Sequence, residues 1–269
     1  MARKNLAWGV VGLLVVLPWL LAAGATASTA AGTVPFFLTH GARSGSVSST
    51  NWAGYAVTGA KGSVSNVNGS WVQPTATCTS GKSGYAAFWV GIDGYSSRTV
   101  EQTGTDSDCK GSTPSYYAWY EFYPNPSHTI SGLKISPGDT ISAQVHFLGG
   151  AKFKVTLTDV TTGKSSSTTA SVRNAARTSA EWIAEAPSSV SGVLPLSDFG
   201  TVSFGYDSTS VAGTNAATVG GTTAYLGGFS TAVAITMVSV SSATTVKALP
   251  SAISSDQTSF SVTWKSAGP

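Results

Sequence analysis

The sequence predicts an all-β fold, a sandwich or barrel of many short strands. Three observations carry that reading. No amphipathic helical period runs over any long stretch, while short alternating segments recur between Gly, Ser, Asn and Pro turns. Gly149-Gly150, Thr162-Gly163 and Gly220-Gly221 fall between such segments, where hairpin connections belong. No internal repeat or linker divides the body of the chain, which is long enough for one domain with a large core.

From the N-terminus, Arg3 and Lys4 precede an apolar run from Leu6 to Ala23, and Ala25-Thr26-Ala27 supplies a small-residue cleavage pattern. Residues 1–27 therefore read as a secretion signal. A retained membrane anchor is the rival, but Gly9, Gly12 and Pro18 break the run. Residues 28–50 are rich in Ser, Thr, Ala and Gly and read as a disordered tail or short pro-segment. Residues 51–269 form the expected β domain. The first 50 residues hold Arg3, Lys4 and Arg43 and no acid, so of 15 basic and 12 acidic residues the remainder keeps 12 of each. The basic balance thus belongs to the leader, and nothing argues for nucleic acid. Only 10% of the chain is charged. That limits self-repulsion when carboxylates protonate and suits an acid medium, though a Ser/Thr-rich secreted β-protein would look the same. In an exported chain the two cysteines, Cys78 and Cys109, are expected to form a disulfide. It would constrain the unfolded chain by about 3–4 kcal/mol.

Strands are expected at 51–58, 63–73, 85–93, 98–103, 115–123, 138–148, 152–159, 164–172, 180–186, 199–206, 222–229, 232–241 and 258–265. The polar stretch 207–221 reads as a surface loop. Alternation sorts side chains by face. Phe88, Val90 and Ile92 oppose Ala87, Trp89, Gly91 and Asp93. Tyr116, Ala118, Tyr120 and Phe122 oppose Tyr117, Trp119, Glu121 and Tyr123. Trp182 and Ala184 oppose Glu181, Ile183 and Glu185. Each of these strands offers an apolar face for an inter-sheet core and a face mixing aromatics with carboxylates, fit to line a groove.

The histidines do not make a nucleophilic triad. His40 lies in the tail, His128 in a turn and His146 on a strand, none in a nucleophile-elbow context. No His, Cys or carboxylate spacing suggests a metal site, and the Gly pairs sit between strands and not before helices, against a phosphate loop. Carboxylate chemistry is what remains. Glu121, Glu181 and Glu185 lie among aromatics, and a Glu beside apolar groups has a raised pKa suited to proton transfer. As residues alone, each is more often a satisfied strand carboxylate.

An ordered set of motifs resembles the glutamic peptidases, or eqolisins, and the chain is read as a bacterial-type member. The set runs from Asn51-Trp52-Ala53-Gly54-Tyr55 and Gly69-Ser70-Trp71-Val72-Gln73-Pro74 to Trp89-Val90-Gly91-Ile92-Asp93-Gly94. Gln102-Thr103-Gly104, Ala118-Trp119-Tyr120-Glu121-Phe122-Tyr123-Pro124, Pro137-Gly138-Asp139 and the segment from Glu181 to Glu185 follow, with Leu194-Pro195-Leu196-Ser197-Asp198-Phe199 last. The resemblance implies a lectin-like β-sandwich of two large antiparallel sheets with a substrate groove on one. It implies a catalytic dyad of Gln102 and Glu185. Trp89, Asp93, Gly104, Asp106 and Tyr123 match residues around the site, and Glu121 and Glu181 match supporting acids. Where fungal members have an Asp, two residues before the Trp of the Ala-Trp-Tyr-Glu run, this chain has Tyr117.

The chemistry is coherent with that set. Ionised Glu185 can take a proton from water as general base and return it to the leaving amine. The Gln102 amide carries two N–H donors and can stabilise the oxyanion. No metal or organic cofactor is required. The chain is expected to be a secreted, extracellular acid endopeptidase acting on protein or peptide substrates, without a membrane anchor after signal cleavage, and a monomer. The rivals are a lectin or glycosidase using Glu121 and Glu185 with Trp89, Trp119 and Tyr123 as a sugar platform, and an inactive secreted module.

Overall fold

A computed structural model describes residues 38–43, 45–205 and 215–268. The expected signal segment, the start of the tail and the front of the 207–221 stretch lie outside the described residues. The fold is all-β, and its strands form two layers.

The first layer runs, in order, through Ser46–Ser49, Ala232–Val238, Trp52–Thr58, Ser179–Glu185, Ala87–Ile92, Val100–Lys110 and Thr113–Tyr123. All neighbours are antiparallel except Ser46–Ser49, which lies parallel to Ala232–Val238. The second layer runs from Lys164–Ser171 through Lys152–Asp159 and Thr140–Gly149 to Val64–Val72. Beyond Val64–Val72 lie Ala216–Val219 and Thr201–Phe204, then Phe260–Trp264 and Val246–Pro250. Val246–Pro250 pairs back onto Ala232–Val238 and joins the two layers along one edge. The three glycine turns connect hairpins as expected, Gly149-Gly150 between Thr140–Gly149 and Lys152–Asp159 among them.

The alternation read from the sequence is the alternation of the sheet. Phe88, Val90, Ile92, Ala118, Phe122, Trp182 and Ala184 enter the core between the layers. There they meet Val67, Trp71, Ile141, Val145, Phe153 and Val155 of the second layer, each such burial contributing about 1.5–3 kcal/mol. Trp52, Trp89, Trp119, Ile183 and Ile235 form a separate cluster on the other face of the first layer, flanked by Tyr95, Tyr117 and Tyr123.

Three boundaries differ from expectation for physical reasons. The strand expected at 98–103 continues to Lys110, through the polar run Thr105-Asp106-Ser107-Asp108. Partners on the segment 71–74 make that polarity tolerable: Trp71 Nε1 donates to Thr105 Oγ1 at 2.9 Å, Gln73 Nε2 donates to Ser107 Oγ at 2.8 Å, and Ser107 Oγ donates to the Pro74 carbonyl at 2.8 Å. Within 207–221, Ala216–Val219 is a strand and not a loop. Its partners are Val64–Val72 and Thr222–Tyr225, and backbone pairing, not a run of large apolar side chains, places it there. Within the expected tail, Ser46–Ser49 is a sheet strand and Ser49 is fully buried.

Candidate active site

Four strands of the first layer make a grid. One row across them is Glu181, Gly91, Gln102 and Glu121; the next is Ile183, Trp89, Gly104 and Trp119; the third is Glu185, Ala87, Asp106 and Tyr117. Period-two alternation puts all three rows on one face. Gln102 and Glu185 therefore occupy opposite outer rows, diagonally across the Trp89–Gly104 row.

Two glycines shape the floor. A Cβ on Gly104 would lie 2.2 Å from the Phe88 carbonyl oxygen and 2.6 Å from Trp89 Cβ. A Cβ on Gly91 would lie 2.8 Å from the Trp89 six-membered ring and 3.3 Å from Gln102 Cβ. The Trp89 ring thus lies over Gly91, beside Gln102. At its other end Trp89 Nε1 donates to Glu185 Oε2 at 2.8 Å. One indole spans the space between the two corner groups, and Trp52 braces it edge-on at 4.9 Å between ring centroids.

Glu185 is fully buried. Its second oxygen, Oε1, accepts from Asn51 Nδ2 at 3.2 Å. Asn51 is itself held by Ser49, whose Oγ donates to Asn51 Oδ1 at 3.1 Å. Burial pushes the Glu185 carboxyl up to about 8 and the nearby Glu121 adds to the rise, while hydrogen bonds from Trp89, Trp52 and Asn51 pull against it. Gln102 Nε2 donates to Glu121 Oε2 at 2.6 Å. Glu121 is thus within hydrogen-bond reach of the Gln102 amide, and Glu185 lies diagonally across the grid.

The other expected site residues fall into separate places. Asp106 Oδ1 accepts from Trp119 Nε1 at 2.5 Å and its Oδ2 from the Tyr117 hydroxyl at 2.7 Å. Burial, then the charge of Asp108, holds Asp106 well above the usual carboxylate range. Tyr123 packs at the edge of the aromatic cluster. Asp93, with a left-handed φ of 72°, accepts from the backbone N–H groups of Arg177 at 2.6 Å and Thr178 at 2.9 Å. It pins the turn leading into Ser179–Glu185 and makes no contact with Gln102 or Glu185 among the described hydrogen bonds. Glu181 is buried in Gln102's row, and burial raises it well above its ordinary value, with the charges of Asp93 and Glu101 adding. Cys78 and Cys109 are bonded, their Cα atoms 5.4 Å apart.

Sequence reasoning left Asn51, Trp52 and Trp119 out of the expected site residues, although all three stand in the quoted motifs. None of the three is ionisable, so a search among acids and bases alone does not find them. The signal available was the density of Trp on one strand face.

Over residues 50–249 the chain matches the family described as Peptidase A4 family. It is 34% identical over 178 residues to Aspergillopepsin-2 of Aspergillus niger, a stretch covering 58% of this chain and 62% of that protein. It is 36% identical over 140 residues to Scytalidopepsin B of Scytalidium lignicola, covering 51% of each. The match thus spans between half and two thirds of these curated relatives. Among solved structures, the fold is similar to scytalido-glutamic peptidase crystallised with a transition state analog inhibitor, with TM-score 0.65, 27% identity, and coverage of 80% of this chain and 98% of that one. It is also similar to aspergilloglutamic peptidase from Aspergillus niger, with TM-score 0.52, 30% identity, and coverage of 68% and 99%.

Proposed function

Because the chain belongs to the Peptidase A4 family of glutamic peptidases, we propose that it is a secreted endopeptidase hydrolysing peptide bonds at acid pH with Gln102 and Glu185 as its dyad. The observation that carries this reading is the sheet face those two groups share, with Trp89 running between them. The disulfide supports an oxidising, extracellular setting.

The protonation of Glu185 decides how the dyad works. Burial raises Glu185 to about 8, so at acid pH it is mostly protonated and not the ionised base the sequence suggested. The neutral carboxyl is the abundant form, and it has both a donor and an acceptor. As water attacks the scissile carbon, one Glu185 oxygen takes a water proton and the other passes its own proton to the carbonyl oxygen. Charge building on that oxygen during the attack is stabilised by an N–H of Gln102, a class of contact worth about 2.7–4 kcal/mol. Glu185 then protonates the amide nitrogen and recovers a proton from the gem-diol as the C–N bond breaks. It ends neutral, as it began. Glu121 acts by orienting the amide of Gln102.

The carboxylate-pair alternative is weakened by the Gln102–Glu121 contact, which engages Glu121 with an amide. The deciding experiment is digestion of a denatured protein from pH 2 to 8 by wild type and Glu185→Gln. Acid-limited cleavage that the variant loses by about 10³-fold or more supports the proposal. Undiminished cleavage by a folded Glu185→Gln overturns it, as does release of sugar from a glycan in place of peptide products.

A further inference from the structure

Beside Glu185, in the third row of the grid, lies a group of side chains that the proposed dyad does not use. Asp106 and Asp108 point from the Val100–Lys110 strand and are 5% and 7% exposed. The half-buried Tyr117 hydroxyl is 2.7 Å from Asp106 Oδ2 and 2.9 Å from Asp108 Oδ2. The remaining oxygens are also occupied: Asp106 Oδ1 accepts from Trp119 Nε1 at 2.5 Å, and Asp108 Oδ1 from the Ala86 N–H at 3.2 Å.

A phenol has one proton. It cannot donate fully to two carboxylates at once. The arrangement closes if one carboxyl is protonated: that acid donates to the Tyr117 oxygen, Tyr117 donates to the other acid, and Asp106 Oδ1 still accepts from Trp119. Two carboxylates with a shared partner and little solvent resist double ionisation. We propose that Tyr117 is a positioning residue for the hydrolysis: its one hydroxyl proton ties Asp106 and Asp108 into a singly protonated pair that holds Trp119 on the sheet face that also carries Gln102 and Glu185.

The surroundings fit such a pair. The Ala87–Ile92 strand contributes the alanine Ala87 to the row, and Ser83–Gly84 presents no ionisable group. The Ser179–Glu185 strand contributes Glu185, whose charge opposes ionisation of Asp106. The Thr113–Tyr123 strand contributes Tyr117, held above its ordinary value by burial and then by the two aspartates. Burial moves Asp108 up to about 6. The disulfide fixes the end of the strand next to Asp108, with Cys78 Sγ 4.0 Å from the Asp108 carbonyl oxygen.

The inference rests on the dyad reading for its catalytic consequence but not for the proton itself. The test compares Tyr117→Phe, Asp108→Asn and, as a control, Tyr116→Phe. Tyr116 faces the core on the same strand, and its hydroxyl accepts from the Ala76 N–H. Cleavage of an internally quenched peptide is followed from pH 2 to 8 in the full chain, with melting temperature and the infrared band of protonated carboxyls recorded in parallel. Tyr117→Phe is expected to lower kcat about 10-fold or more at pH 4, leave KM within about 3-fold and change the shape of the pH profile. Tyr116→Phe should lower only the melting temperature. In Asp108→Asn the amide reproduces the protonated acid, accepting from Ala86 and donating to Tyr117. It should keep activity at pH 4 within about 3-fold of wild type and abolish one protonated-carboxyl band. A folded Tyr117→Phe with a wild-type profile overturns the proposal. If Tyr117→Phe does not fold, an Asp108→Asn variant that loses activity at pH 4, or keeps every carboxyl band, overturns it equally. Failure of the dyad shows separately, as an active Glu185→Gln, and leaves the infrared readout intact.

Discussion

Gln102 and Glu185 differ in what a single substitution should reveal. Gln102→Glu keeps size and shape, so a merely packed side chain would tolerate it at under about 1.5 kcal/mol. Beside Glu121, which Gln102 already contacts at 2.6 Å, the new acid would make a carboxyl pair sharing one proton. Once ionised it cannot donate to an oxyanion. The expected result is a loss of about 10²-fold or more, with the remaining activity displaced to lower pH and the fold retained; wild-type turnover at the normal optimum would remove Gln102 from the mechanism. Trp89→Phe tests the Glu185 end of the same face. It deletes the N–H donated to Glu185, and losing a donor to a carboxylate raises the pKa of that group further above 8. The high-pH limb of activity should then move to higher pH, read from kcat/KM. A limb moving lower would contradict a working, protonated Glu185. The placing of Glu185 on a strand face among aromatics was legible in the sequence. Its hydrogen-bond donors were not, because Asn51 lies 134 positions away and only strand pairing brings it near.

At the level of elements, period-two patterning carried most of the information. Wherever an apolar face alternates with a mixed one, as in Ala87–Ile92 and Ser179–Glu185, strand and facing could be read directly. Reading failed where stability comes from outside the element. The second half of Val100–Lys110 is a strand because Trp71, Gln73 and Pro74 satisfy it. Ser46–Ser49 is one because Ala232–Val238 offers a backbone edge. Local sequence cannot express a partner that lies elsewhere in the chain. The disulfide belongs to this scale too. Replacing Cys78 and Cys109 by serine releases a 31-residue loop and should lower unfolding stability by about 3–4 kcal/mol. The change is measurable by denaturant titration, and an unchanged midpoint would show the crosslink to be energetically idle.

For the whole molecule, five of the buried acids act in one direction. Glu101, Glu181, Asp106, Asp108 and Glu185 all have pKa values above their ordinary ones, with burial the first cause in each. The folded chain keeps protons that the unfolded chain releases once pH passes about 4. Stability from these groups is therefore full below that point. It declines as pH rises to each folded value, about 8 for Glu185, and as the Asp106–Asp108 pair gives up its shared proton. Each carboxyl in its window contributes a slope of up to about 1.4 kcal/mol per pH unit. Lys247 runs the other way, lowered to about 8 by burial, but below that pH it is charged in both states and adds no slope. The melting temperature should be highest near pH 3–4 and fall steadily towards pH 8. A maximum at neutral pH would mean that these acids ionise within the fold.

The short strand Ser46–Ser49 also sets a limit on how the chain can be trimmed. Ser49 holds Asn51, and Asn51 holds Glu185. A protease that removed a leader up to Gly45 would leave this relay whole, whereas one that cut immediately before Asn51 would put a charged amino terminus where a hydroxyl now steers the amide. Chains beginning at Gly45 and at Asn51 should therefore mature into different enzymes, the first fully active and the second slower, with its pH profile displaced.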